Sequence, residues 1–339
     1  MHYCLLCEKI RAHEMGGRYL PGCQFVMTHQ VIVALNKEIG GMARCRSAAI
    51  VVDLRNGMKL ASFYRPQSDE KSYGIVTEQG VIDAGKKLSD RYLTLQSLLH
   101  DNALDLLQEL TACAVDYPTE DIVFLPVIET PGKIFCVGMN YADKRKEFEE
   151  NNNAPTLFIR FADSLCAHKD NLIKPISSDE FDYEGELAVV IGRYASEVSK
   201  EEALDYVAGY SCFMDATVRD MQYTWFTSGK NWLKTGGFGP WLVTRDEIGD
   251  PQALPIETFL NGMRVQHDTT GNMIHSVADI IQYISRFSPL SPGDVIITGS
   301  PGGVGKKRTP PLFMKNGDVI EVTIGGIGTL VNQIASQTI

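Results

Sequence analysis

Short β-prone runs, each closed by turn residues, dominate the chain from residue 58 to its end. Residues 60–64, 73–77 and 81–83 alternate between apolar and polar, which predicts a small antiparallel meander. Stretches 93–99 and 103–114 repeat apolar residues at three- and four-residue steps, which predicts helices. Pro118 and Pro126 punctuate a linker. Further strands are predicted at 134–138, 187–192, 207–214, 256–260, 263–266, 295–298, 319–324 and 329–331. Asn261-Gly262 joins two of these as a hairpin, because both central turn positions take positive φ. Pro292-Gly293-Asp294 and Asn316-Gly317-Asp318 read as turns, and 141–151 and 277–287 as helices. Many strands with few helices make the fold class α+β and β-rich, a barrel or roll. The division expected is an extension over 1–57, a small N-terminal α+β domain over 58–125 and a larger domain over 126–339.

Composition narrows the function. Of 339 residues, 44% are hydrophobic and 22% charged, which excludes long disorder and collagen-like architectures. No apolar run reaches the roughly 18–20 residues of a membrane helix, so no membrane partner is expected. A net charge of -10 repels phosphate backbones and argues against nucleic acid. A small metabolite or a metal suits such a chain better. The charge is uneven: residues 1–57 hold seven Lys/Arg against four Asp/Glu, a net of +3. Cys4 and Cys7 invite a zinc reading, but Cys23 and His29 lie too far apart to supply the second ligand pair. Segment 1–57 is therefore expected to be flexible or foreign to the native fold, with Met58 a candidate natural start. Scattered cysteines and the lack of a secretory pattern lead to an expectation of reduced thiols in the cytoplasm.

The chemistry concentrates in Asp182-Tyr183-Glu184-Gly185-Glu186, which runs into the apolar stretch 187–191. On a strand, Glu184 and Glu186 share a face, with Cα atoms roughly 6–7 Å apart. Two like charges at the mouth of a buried strand cost free energy unless a hard divalent cation neutralises them. Asp215 closes another apolar run and could add a third carboxylate. The plain alternative is a solvated strand end. Thr298 to Lys306 is no phosphate loop, since position 300 is Ser and Lys306 precedes another lysine. Its exposed backbone N–H groups suit a carboxylate. Lys230 stands in a turn-rich stretch that ends at Gly239-Pro240-Trp241.

Taken together, Val137-Gly138-Met139-Asn140-Tyr141, Glu184-Gly185-Glu186, Asp215 with Arg219-Asp220-Met221-Gln222, Gly229-Lys230, Gly239-Pro240-Trp241, Pro292-Gly293-Asp294 and Thr298-Gly299-Ser300-Pro301 resemble the fumarylacetoacetate hydrolase family over about 58–339. The resemblance implies a mixed β-sandwich roll as a metal-binding catalytic domain, a homodimer, and a small-molecule 2-oxo acid as substrate. It implies Glu184, Glu186 and Asp215 as ligands of Mg²⁺ or Mn²⁺, with Ca²⁺ less suited. Lys230 matches a lysine on the substrate's oxygens, and Arg219 and Gln222 match residues near the substrate. Ser300 keeps the hydroxyl of a Thr-Gly-Thr-Pro turn and so its carboxylate binding. The plain alternatives are that Arg219 pairs only with Asp220 and that Gln222 caps a helix.

One departure bears on the reaction. Many hydrolytic members carry a His after Asn-Tyr-x-x, paired with a Glu three residues on, to activate water. Here Lys144 takes the place of His, and Glu147 is in register. A lysine is a poor general base near neutral pH, so Lys144 is either a tuned acid–base group or a charge partner of Glu147. The implied reaction is metal-dependent hydrolysis of a C–C bond in a 2,4-dioxo acid, narrowly ahead of isomerisation or hydration of an unsaturated 2-oxo acid and of oxaloacetate decarboxylation. A catalytically silent 2-oxo acid binder is the reading from another class.

Overall fold

The computed structural model describes residues 57–150, 153–222 and 225–338, and the backbone of two earlier strands. Those strands, β1 (Cys23–Thr28) and β2 (Val31–Asn36), pair as an antiparallel hairpin. The rest of the segment expected as an extension lies outside the described residues.

Residues Asn56–Ile339 form one compact unit. It opens with the predicted meander, β3 (Lys59–Tyr64), β4 (Lys71–Thr77) and β5 (Gly80–Asp83). Helices α1 (Ala84–Lys87), α2 (Leu95–His100) and α3 (Asp105–Leu110) follow, the last two shorter than their periodicity predicts. Thr94 and Ser97 form a capping box that starts α2 at Leu95, two residues after the predicted start, and Asn102 at φ 53° interrupts the helical path beyond it. Next come β6 (Val123–Phe124), β7 (Ile134–Gly138), α4 (Ala142–Phe148), β8 (Thr156–Ile159), β9 (Leu165–Cys166), β10 (Asn171–Lys174) and β11 (Phe181–Asp182). Then β12 (Gly185–Ile191), β13 (Val207–Asp215), β14 (Thr217–Val218), α5 (Phe226–Lys230) and β15 (Gly236–Thr244) build the centre. The chain ends with β16 (Pro255–Leu260), β17 (Met263–Thr269), α6 (Val277–Ser285), β18 (Val295–Ile297), β19 (Val319–Ile324) and β20 (Gly328–Ser336). The β16–β17 turn is the predicted hairpin, with Asn261 at φ 51° and Gly262 at φ 77°.

An eleven-stranded mixed sheet runs β5-β4-β3-β15-β13-β12-β18-β7-β8, with β6 on β3 and β9 on β15. A five-stranded sheet, β10-β20-β19-β16-β17, covers one of its faces. Strand β12 shows why its sequence is unbroken apolar: it is buried on both faces. Leu187, Val189 and Ile191 meet Ile256, Ile320 and Val322 of the smaller sheet. Ala188 and Val190 share the opposite core with Leu95, Leu98 and Leu107 of the helices.

Two expectations change in detail. The meander pairs directly with the centre of the large sheet, Leu60 opposite Leu242 and Lys59 opposite Val243, so strand pairing crosses the division expected at 125–126. The prolines there mark a turn in the chain path, and the hydrogen-bonded ladder continues past it. The turn-rich stretch around 239–241 is instead the middle of β15. Its glycines are needed for close packing: a Cβ at Gly237 would lie 2.5 Å from Asn332 Oδ1, and one at Gly236 3.0 Å from Phe213 Cζ. No helix among the described residues is long and apolar enough to cross a membrane.

Candidate metal centre

The antiparallel register of β12 and β13 places Gly185 opposite Met214 and Glu186 opposite Phe213. Glu184 lies one residue before β12 and Asp215 closes β13, joined by a bond from Asp215 N to Glu184 O of 2.8 Å. Strand alternation turns Gly185 toward the smaller sheet, where a Cβ would come 2.1 Å from Thr258 Oγ1. Its two neighbours therefore point away together. Glu184, Glu186 and Asp215 each bring a carboxylate oxygen within 4.8 Å of the other two, and all three are buried.

Four buried cations surround them. Lys230, on the last turn of α5, reaches Asp215 Oδ2 at 2.5 Å and Glu184 Oε2 at 3.0 Å. Lys144, on α4, lies 3.1 Å from Glu184 Oε1 and donates to Ser300 Oγ at 2.5 Å. Arg219 donates to Glu184 and, at 2.8 Å, to Asp182. Arg160 donates to Asp215 Oδ1 at 2.6 Å. Burial alone would push Glu184 up, but Lys144, Lys230 and Arg219 outweigh it and hold its carboxyl well below the usual range. Glu186 goes the other way: burial first, then repulsion from Asp215 and Glu184, raises it well above that range. Its hydrogen-bond donor is the Gly299 backbone N–H, at 2.6 Å.

The residues fit a divalent cation. The donors are all hard oxygens, they converge from two strands, and Glu186, pushed up by its two carboxylate neighbours, has no ion pair among the described residues. Glu184, Glu186 and Asp215 would hold the ion.

The other expected site residues are drawn to the same corner. Arg219 does not pair with Asp220, which accepts from Ser178 Oγ at 2.6 Å. Gln222 does close a short 3-10 turn over 219–221, its backbone N–H returning to the Arg219 carbonyl at 3.2 Å, but its side chain turns to the site: Oε1 accepts from Arg219 at 3.2 Å, and Nε2 is buried without a partner among the described residues. Lys144 does not pair with Glu147, whose Oε1 accepts from Gly303 N at 2.7 Å and whose Oε2 is buried and unpartnered among the described residues. A cavity of about 590 Å³, lined in part by Glu147, Gln266, Gly302 and Gly303, opens beside this loop.

One contributor, Arg160, escapes a reading of the sequence by motif, and two others, Asp182 and Gly299, lie in named motifs without their roles being given. Arg160 had one available signal, a single charge inside the apolar run 157–161. Asp182 accepts from Arg219, from Gly305 N at 2.7 Å and from Lys306 N at 3.1 Å, tying the 299–308 loop to the metal corner. Gly299, at φ 99°, aims its N–H at Glu186.

The fumarylacetoacetate hydrolase C-terminal family model matches residues 133–335. The chain is 34% identical over 289 residues to the mitochondrial oxaloacetate tautomerase Fahd2a of Rattus norvegicus, covering 82% of this chain and 91% of that one. It is 40% identical over 231 residues to the fumarylacetoacetate hydrolase domain-containing protein 2 homolog of Dictyostelium discoideum, covering 64% and 75%. Among solved structures, the fumarylacetoacetate hydrolase of Exiguobacterium antarcticum superposes with a TM-score of 0.71 at 32% identity, over 83% of this chain and 100% of that one. The 2-hydroxyhepta-2,4-diene-1,7-dioate isomerase of Mycobacterium marinum does so with a TM-score of 0.65 at 27% identity, with the same coverage. The converging carboxylates thus sit in a matched fold and sequence, and the chain is an enzyme that belongs to the fumarylacetoacetate hydrolase family.

Proposed function

We propose that the chain interconverts the keto and enol forms of a 2-oxo diacid of the oxaloacetate type, with Mg²⁺ or Mn²⁺ held by Glu184, Glu186 and Asp215. The observation that carries this reading is Lys144, which stands in the motif position of the His and is buried between Glu184 Oε1 and Ser300 Oγ. C–C hydrolysis needs a water activated next to the substrate. Here the His is missing, and Glu147 is committed to Gly303 rather than to Lys144. Tautomerisation needs less: one proton leaves carbon and another reaches oxygen. Lys144 and Ser300 form a hydrogen-bonded, proton-carrying pair at the wall of the site. Lys230 holds further positive charge against the same carboxylates. A bound cation would supply Lewis-acid stabilisation of enolate charge. Relatives from rat and human named as oxaloacetate tautomerases support this choice. The weight passes from the hydrolysis placed first on sequence to the isomerisation placed behind it.

The test presents the enol of oxaloacetate and follows the loss of its ultraviolet band, with pyruvate release and acylpyruvate cleavage measured in parallel. Ketonisation should accelerate, fall to background in chelator, and return with Mg²⁺ or Mn²⁺. Acylpyruvate cleavage without ketonisation would reinstate hydrolysis, and pyruvate release would make the enzyme a decarboxylase. Silence on all three, with tight oxalate binding, would make it a binder.

A further inference from the structure

We infer that Arg160 is a positioning residue, whose guanidinium fixes both Asp215 and Lys230 in the arrangement that accepts the cation. This rests on the metal-dependent reading above. Arg160 directly follows β8, and its side chain is wholly enclosed. A guanidinium has five N–H donors, and each has an acceptor here. Nε donates to Asp215 Oδ1 at 2.6 Å. One Nη donates to the Lys230 carbonyl and to Thr235 Oγ1 at 3.2 Å. The other donates to the Ala216 carbonyl at 2.8 Å and to the Thr235 carbonyl at 3.5 Å. The Phe213 ring packs against the guanidinium at 5.8 Å.

This arrangement has two consequences. Asp215 Oδ1 is committed to Arg160, so its carboxylate plane is set and Oδ2 is the oxygen presented to Lys230. The Lys230 carbonyl, at the end of α5, is anchored by the same group, which fixes where the Lys230 stem starts on its way to Glu184. One rigid fork therefore locks a ligand and the neighbouring ammonium relative to each other. A lysine could restore the charge but reach only part of this set, because an ammonium lacks the planar fork. A buried cation that only balanced Asp215 would not need four further acceptors, the carbonyls of Lys230, Ala216 and Thr235 and the Thr235 hydroxyl, aligned around it.

The test measures Mn²⁺ affinity by the paramagnetic resonance of free Mn²⁺ in Arg160→Lys and Thr235→Val. It also records Tm with and without the ion. Removing a partner that orients a metal ligand weakens affinity by about 10–100-fold. We expect that loss in Arg160→Lys, a smaller one in Thr235→Val, and a reduced Mn²⁺-dependent rise in Tm in both. A merely structural arginine would lower the ion-free Tm and leave the Mn²⁺ affinity of the folded protein unchanged, which would overturn the inference. Should Arg160→Lys fail to fold, Thr235→Val decides alone, and unaltered affinity there overturns it equally. Wild-type protein that binds no Mn²⁺ would sink the metal reading and this inference together. Wild-type binding matched by the variants would sink this inference only.

Discussion

Glu186 sits 2% exposed among its neighbours, with a backbone N–H as its donor and two carboxylates close by. A buried carboxyl raised in this way favours the folded state at low pH and loses that contribution as pH climbs from the ordinary glutamate range through its folded value. In ion-free protein, Glu186→Gln should therefore raise Tm at pH 8 and change it little at pH 4, since Gln can still accept from Gly299. The same variant should weaken Mn²⁺ by at least about 100-fold, at the upper end of losses around metal sites. Unchanged Mn²⁺ affinity would mean that the ligands are misassigned. On the proposed function, Lys144 is the residue that sets the reaction. Lys144→Ala should slow ketonisation by about 10²–10⁴-fold, the range of a lost acid–base group, without weakening Mn²⁺ binding, because it removes a cation from Glu184. Lys144→His, by contrast, should gain acylpyruvate cleavage; if neither variant alters the ratio of the two reactions, the lysine does not choose between them. The acidic cluster was visible in the sequence because strand spacing puts Glu184 and Glu186 on one face. Arg160 was not, nor was the role of Asp182, since their partners, Asp215 and Gly305, are 55 and 123 residues away.

The element that aims the ligands is β12, and Gly185 is where its two faces meet. Thr258 Oγ1, the nearest atom to a Cβ at Gly185, is itself buried without a partner among the described residues. Gly185→Ala should cost about 1–3 kcal/mol by overpacking the gap between the sheets. Thr258→Ala should cost little, and the double variant should regain most of the loss, because the next atom lies 3.3 Å away. Urea unfolding of the three variants measures this coupling, and additive losses would refute it. The strand β20 carries a pH-sensitive tie. His168 Nδ1 accepts from Val331 N at 3.1 Å, and the ring stands edge-on to Phe124. Burial, then Lys169, pushes His168 down to about 4. The unfolded chain takes up this proton near ~6.5, so the stability it contributes is full above that value and is lost as pH falls toward 4. The loss is about 2 kcal/mol after allowance for a partly open ring. His168→Gln should flatten that acid slope in urea midpoints between pH 7 and 4; an equally steep variant would contradict the assignment. At this scale alternating strands were legible, and so was the Asn261-Gly262 hairpin. Strand β15 was not, because the glycines that let it pack close to Asn332 and Phe213 are also the residues that signal turns.

Across the whole molecule, the large sheet joins the meander to the carboxylate cluster through consecutive ladders, β3 on β15, β15 on β13 and β13 on β12. The prolines at 118 and 126 suggest a boundary in the sequence; sheet pairing between residues far apart in sequence has no local signature and could not be read ahead of the fold. The helices α2 and α3 share a core with Phe213 and Val295, so the apolar contacts cross the same line as the hydrogen bonds. Such a structure should open as one unit. Mn²⁺ that binds only the folded state at 100 times its Kd adds about 2.7 kcal/mol to unfolding. Amides that exchange only through global opening should all gain that increment wherever they lie. Ile75 and Val76 in β4 are therefore expected to gain as much protection with Mn²⁺ as Val189 and Val190 in β12. The measurement is native-state hydrogen exchange with and without the ion. Protection that rises in β12 and stays flat in β4 would show residues 58–125 opening independently, as a domain that touches the catalytic sheet without sharing its stability.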